Sequence, residues 1–195
     1  MEQTARSFTA TRLKNVHGIG IDQARSWFGH LSEAYMLRAL SVFDRRPAKV
    51  ARSPRKVYAA DVGLRNAVCT RYSHDLGWLV ETVVHNALTQ QWQGDIFYLG
   101  GTGDDGRALP ECDFLLWKGT AAAGAVQVSY ADPPLAPREE RGLIAAMARF
   151  DLERGLMLTA SGSRDVVVDG RTIAYRPVWR WLLEPGPGLM GHVLA

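Results

Sequence analysis

Apolar side chains in the first forty residues recur at steps of three and four. Ala24, Trp27, Phe28 and Leu31 mark one helical face, and the pattern runs on through Ala34, Tyr35, Leu37 and Leu40. The spacing predicts a helix that starts at Asp22 as N-cap and continues to about residue 40, with a break near Gly29. Trp27 and Tyr35 fall within the apolar period and are expected in the core. A shorter helix over about residues 9–16 precedes it, capped by Ser7 or Thr9, with Gly18 and Gly20 between the two. Short helix, glycine turn and longer helix is the order of a helix-turn-helix element.

The strongest helical stripe lies further on. In "DLGWLVETVVHNALTQQWQ" it consists of Leu76, Leu79, Val80, Val83, Val84, Ala87 and Leu88, behind Asp75 as N-cap. Three short strands follow, "DIFYLG", "ECDFLLW" and "GAVQVSY". A helix over about residues 137–150 packs through Leu143, Ile144, Met147 and Phe150. The strand "GLMLTA", a hairpin around the Asp-Gly of "DVVVDGRTIAYRPV", and a short helix "VWRWLLE" complete the pattern. Helix, three strands, helix and further strands predict an α/β sheet with helices packed on it.

Charge divides the chain in a similar way. Residues 1–70 hold twelve Lys and Arg against five Asp and Glu, whereas residues 71–195 hold eleven against fifteen. The sign change suggests two modules. Arg45, Arg46, Lys49, Arg52, Arg55 and Lys56 cluster around Pro47 and Pro54 and read as a basic loop or wing leading into the strand "KVYAAD". With Arg25, beside Gln23 and Ser26 on the second helix, they are the candidate contacts to nucleic-acid phosphates and bases. A solvated face or an acidic protein partner would use the same charges. The two cysteines, Cys69 and Cys112, cannot build a disulfide framework or a four-ligand metal site. No run approaches the ~20 apolar residues of a membrane span. The expectation is a reduced, soluble, cytoplasmic chain that makes no membrane contact.

Candidate chemistry sits on the strands. Alternation puts Glu111 and Asp113 on one face of theirs, with Cys112 turned away, and Gln127 and Ser129 on one face of the next. If the two strands pair, Asp113 stands beside Gln127, and Glu81 from the preceding helix reaches the same spot. Oxygen donors of this kind suit Mg²⁺ or Mn²⁺. The glycines of "GGTGDDG" lack the Gly-Lys-Ser/Thr ending of a P-loop, so no Walker-type cradle is expected.

The runs "KVYAADVGLRNAV", "DLGWLVETVVHNAL", "ECDFLLW", "AVQVSY" and "VWRWLLE" resemble the C-terminal region of a prokaryotic AAA+-type ATPase family, a domain of unknown function (DUF4143-type) that follows the ATPase core and a winged helix. The resemblance covers about residues 7–184. It implies a restriction-endonuclease-like α/β domain with a central mixed sheet over 58–184. The helices and basic loop of residues 1–57 read as a helical winged-helix-like module, and the Pro- and Gly-rich residues 185–195 as a flexible tail. It carries Glu81 onto the helix glutamate and Asp113 onto the metal-binding aspartate of a PD-(D/E)XK-like nuclease site. Gln127 and Ser129 then stand where an active nuclease has glutamate and lysine. Replacing that glutamate removes a unit of ligand charge, which at an effective dielectric of ~20 and ~4 Å interacts with a cation by about 4 kcal/mol. Serine supplies no ammonium to orient water, and Lys118, the one lysine after Lys56, is the candidate to take over that part. The resulting expectation is a degenerate site, with Glu81 and Asp113 as residual metal ligands and no resident cofactor. The function expected is DNA binding or protein docking beside an ATPase core, against two alternatives, a Mg²⁺-dependent DNA endonuclease and a structural oligomerisation domain.

Overall fold

In the computed structural model of the protein, residues 6–68, 76–102, 107–131 and 137–183 are described. They form a mixed α/β chain of two compact units, Met1–Val83 and Val84–Ala195. The expected boundary at residues 57 and 58 falls inside the central strand of a sheet. The observed one falls inside a helix. Cys69, His74, Asp75 and the expected tail lie outside the described residues.

The first unit is built on β1 (Arg6–Phe8), α1 (Ala10–His17), α2 (Ile21–Glu33), β2 (Leu37–Leu40), α3 (Pro47–Arg52), β3 (Arg55–Ala59) and α4 (Val62–Val68). The three strands form an antiparallel sheet in the order β1-β3-β2. Helix α1 begins as expected: the Thr9 hydroxyl accepts from the Arg12 N–H at 3.2 Å. It ends at Gly18, whose N–H reaches the Lys14 carbonyl and whose positive φ then turns the chain out of the helix.

The second helix departs from its predicted length. It starts after Gly20, two residues before Asp22, and stops at Glu33. Tyr35 turns into the left-handed region at φ 56°. The Met36 N–H then reaches back to the Leu31 carbonyl and the Tyr35 N–H to that of Ser32. This six-to-one and five-to-two pairing is a Schellman closure, with tyrosine where glycine usually sits. Leu37 and Leu40 kept helical spacing but belong to β2, whose backbone groups pair with β3. Trp27 and Tyr35, expected in the core, are 48% and 82% exposed, and Ala24 is the buried residue of α2. The expected basic loop contains α3, with Pro47 at its first turn, where a missing N–H costs nothing.

The second unit begins within α5 (Leu76–Gln91) and continues through β4 (Asp95–Leu99), β5 (Cys112–Lys118), β6 (Ala121–Ser129), α6 (Pro137–Phe150), β7 (Arg154–Thr159), β8 (Arg164–Val168), β9 (Arg171–Pro177) and α7 (Val178–Leu183). Its six strands form one mixed sheet in the order β4-β5-β6-β7-β9-β8. Strands β4, β5 and β6 are antiparallel, β6, β7 and β9 run parallel, and β8 closes on β9 as a hairpin. Asp169 and Gly170 both take positive φ in that hairpin turn, as the Asp-Gly pair predicts. Strand β7 lies between two parallel neighbours and is almost wholly buried, which explains its unbroken apolar run. Leu143, Ala146 and Met147 of α6 are buried, and a Cβ at Gly155 would press on Leu143 and Met147, so glycine lets α6 lie close on β7. Gly142 is tighter still, because any side chain there would collide with the Glu111 carbonyl. No helix among the described residues is long and apolar enough to cross a membrane.

Candidate functional site

Two buried polar side chains of the first unit, Lys56 and Tyr58, sit on β3 and meet a third, Glu81. Two-residue periodicity puts Lys56 and Tyr58 on one side of that strand. Lys56 Nζ donates to Glu81 Oε1 at 3.0 Å, and the Tyr58 hydroxyl donates to the same oxygen at 2.8 Å. Lys56 is 3% exposed and Glu81 9%. Glu81, expected as a metal ligand, therefore has an ammonium on its carboxylate. Lys56, expected as a surface contact to nucleic acid, is buried.

In the second unit the register Phe114↔Val126 brings Asp113 opposite Gln127, as strand alternation suggests. The backbone ladder then gives way to side chains. The Asp113 N–H donates to Gln127 Oε1 at 3.2 Å, and the Val128 N–H donates to Asp113 Oδ2 at 3.0 Å. Each side chain thus binds the backbone of the opposite strand, joining β5 to β6 where their ladder ends. Ser129 lies further along β6, paired in register with Thr159 of β7, and both are buried. Cys112 faces away from Asp113, as expected, and its thiol lies 3.6 Å from the Val126 carbonyl. Glu111 precedes β5 and is exposed.

Lys118 stands five residues along β5 from Asp113, about 17 Å at the usual rise per residue. A lysine side chain cannot span that distance, so the catalytic part does not pass to Lys118. Among the described residues, no three or more His, Cys, Asp or Glu side chains gather as metal ligands.

The basic candidates fall into three groups. Arg46 forks onto Asp44 through Nε at 3.1 Å and Nη2 at 3.3 Å, and Lys49 Nζ reaches the other side of that carboxylate at 3.0 Å. The Arg46 hydrogen bond, followed by that of Lys49, holds the Asp44 carboxyl well below its usual range. These two cations share one carboxylate, which offsets half of their charge. Arg45 is exposed, and among the described residues no carboxylate pairs with it. Arg25, Arg52 and Arg55 line a cavity of about 520 Å³ with Phe8, Phe28 and the first residues of α1. Arg25 makes a long, exposed contact to Asp22 at 3.4 Å, and among the described residues no carboxylate pairs with Arg52 or Arg55. Composition alone could not separate these groups. The local signals were Asp44 two residues before Arg46, and Tyr58 two residues after Lys56.

A family model described as "Domain of unknown function (DUF8612)" matches residues 1–76, which span β1 to α4 and the first residue of α5. No curated protein and no solved structure matches the chain.

Proposed function

We propose that this chain is a DNA-binding region without hydrolytic activity of its own, built on a nuclease-like scaffold and working beside an ATPase core. The observation that carries the reading is the Lys56 ammonium on Glu81. The carboxylate that a nuclease would offer to a divalent cation already has its counter-charge, and Asp113 and Gln127 lend oxygen atoms to backbone N–H groups. Hydrolysis of a phosphodiester needs a cation held strongly enough to lower the pKa of water. Two carboxylates bound in this way are poor holders of one.

The mixed six-stranded sheet of the second unit supports the restriction-endonuclease-like resemblance, which implies a central mixed sheet. In the first unit, β1, α1, α2, β2 and β3 with sheet order β1-β3-β2 supports the winged-helix-like reading, with α3 in the wing. Arg45, Arg52 and Arg55 are exposed there without carboxylate partners among the described residues. Attachment to an ATPase core rests on the sequence resemblance alone.

Salt-dependent affinity tests the reading. Each phosphate contact contributes about −0.9 to the slope of log affinity against log salt. Duplex binding should show a slope of about −3, and Arg52→Glu with Arg55→Glu should flatten it by about two contacts. A salt-insensitive affinity, or an unchanged slope in the double variant, would refute DNA binding through this surface.

A further inference from the structure

The cavity of the first unit has a chemistry that solvated arginines on an open surface lack. Three arginines, Arg25, Arg52 and Arg55, are among its lining residues, and no Asp or Glu is. Helix α1 starts at its rim. Thr9 caps the Arg12 N–H, while the N–H groups of Ala10 and Thr11 are the helix's first, which have no partner within the helix. The positive end of the α1 dipole therefore adds to the arginines. The carbonyl end of α3 also borders the cavity. Ser53 donates its N–H to the Lys49 and Val50 carbonyls and its hydroxyl to that of Lys49, which satisfies part of that end. The three arginine charges outweigh the rest.

The remaining wall is apolar. Phe8 and Phe28 lie stacked with ring centroids 5.0 Å apart and planes 19° from parallel, and both are half-buried. A volume of 520 Å³ lies within the ~300–1,000 Å³ typical of small-molecule sites and exceeds what a lone phosphate needs. Fixed positive charge on one side and aromatic surface on the other match an anion carrying a flat or apolar body.

We infer that this cavity binds one nucleotide unit, with its phosphate on Arg52, Arg55 and the α1 N-terminus and its base or sugar against Phe8 and Phe28. The inference deepens the DNA-binding reading and rests on it for a strand as the source of the nucleotide. A free nucleotide has the same chemistry, so the two sources must be separated by experiment. Guanidinium groups hold phosphate through paired N–H donors, and aromatic faces hold bases with little regard to sequence.

Calorimetric titration of the full chain at low salt, with a nucleoside 5′-monophosphate, the matching nucleoside and inorganic phosphate, tests the site. The monophosphate should bind at least tenfold more tightly than either fragment. Arg52→Ala with Arg55→Ala should weaken it at least tenfold, and Arg45→Ala, outside the cavity, less than twofold. Phe28→Leu should weaken the monophosphate and leave inorganic phosphate unchanged. Equal affinity for monophosphate and phosphate, or equal losses in the Arg45 and Arg52/Arg55 variants, would mean diffuse charge attraction and overturn the proposal. Titration with a short DNA strand separates the two readings. DNA binding that the monophosphate cannot displace overturns the cavity but spares the DNA reading. Monophosphate binding with the predicted variant pattern but no DNA binding keeps the cavity and makes free nucleotide its ligand.

Discussion

In the first unit Lys56 and Glu81 are buried against each other, while Arg52 and Arg55 stand at the rim of a cavity with no carboxylate partner among the described residues. In the second unit Asp113 is buried too, but its carboxylate takes a backbone N–H from the adjoining strand. One acid is matched by a charge and the other by the sheet. The contrast teaches that a buried acid can be met by a cation or by strand backbone, and that an interaction surface is to be sought where cations have no carboxylate beside them.

Removing the matching charge should have the largest effect. Lys56→Ala takes the ammonium from the buried Glu81 carboxylate, and breaking a buried pair in this way costs about 3–5 kcal/mol. Urea unfolding would read the loss. Lys56→Met combined with Glu81→Leu should recover most of it, since two apolar groups leave no stranded charge. A single variant as stable as the parent would show that Glu81 is matched by something else.

Gly142→Ala comes next. The added methyl meets the Glu111 carbonyl, so α6 must move off the sheet, at the upper end of the about 1–3 kcal/mol that overpacking costs. Asp113→Ala strips the Val128 N–H of its acceptor and should cost about 1–3 kcal/mol, whereas Asp113→Asn keeps a carbonyl there and should cost less. If both variants lose the same stability, the side chain's role as a strand clamp fails.

The second unit should also weaken at high pH. Burial, and then the hydrogen bond to Glu140, push the Tyr175 hydroxyl up to about 12. A raised pKa favours the neutral folded form, so this contribution is complete below pH 10 and is lost as the pH climbs from 10 to about 12. Melting temperature against pH, compared with Tyr175→Phe, isolates it, because the variant should lack that part of the decline. The smallest effect should be a gain. Tyr35→Gly relieves a left-handed tyrosine whose side chain is mostly exposed and should add about 0.5–1 kcal/mol.

Much of the fold was legible because local signals agreed. Thr9 and Gly18 bracket α1, Asp169–Gly170 marks the last hairpin, and alternation on β5 and β6 gave the facing of Asp113, Cys112 and Gln127. The end of α2 was hidden because tyrosine occupies the position where glycine would have announced a stop. Leu37 and Leu40 kept helical spacing while their backbones went into a sheet with a strand some twenty residues away. Lys56 was misread as surface charge for a related reason. Its partner Glu81 lies 25 residues along the chain, beyond any periodic pattern. Composition also could not foresee which of the basic residues would pair with Asp44.

A time course of DNA degradation with Mn²⁺, run on the parent chain and on Asp113→Ala, tests the central claim most directly. The account predicts that the parent binds the DNA and leaves it intact, with the variant indistinguishable in this respect. Mn²⁺-dependent strand cleavage by the parent that disappears in Asp113→Ala would contradict it, because the carboxylates would then be serving a metal and not the fold.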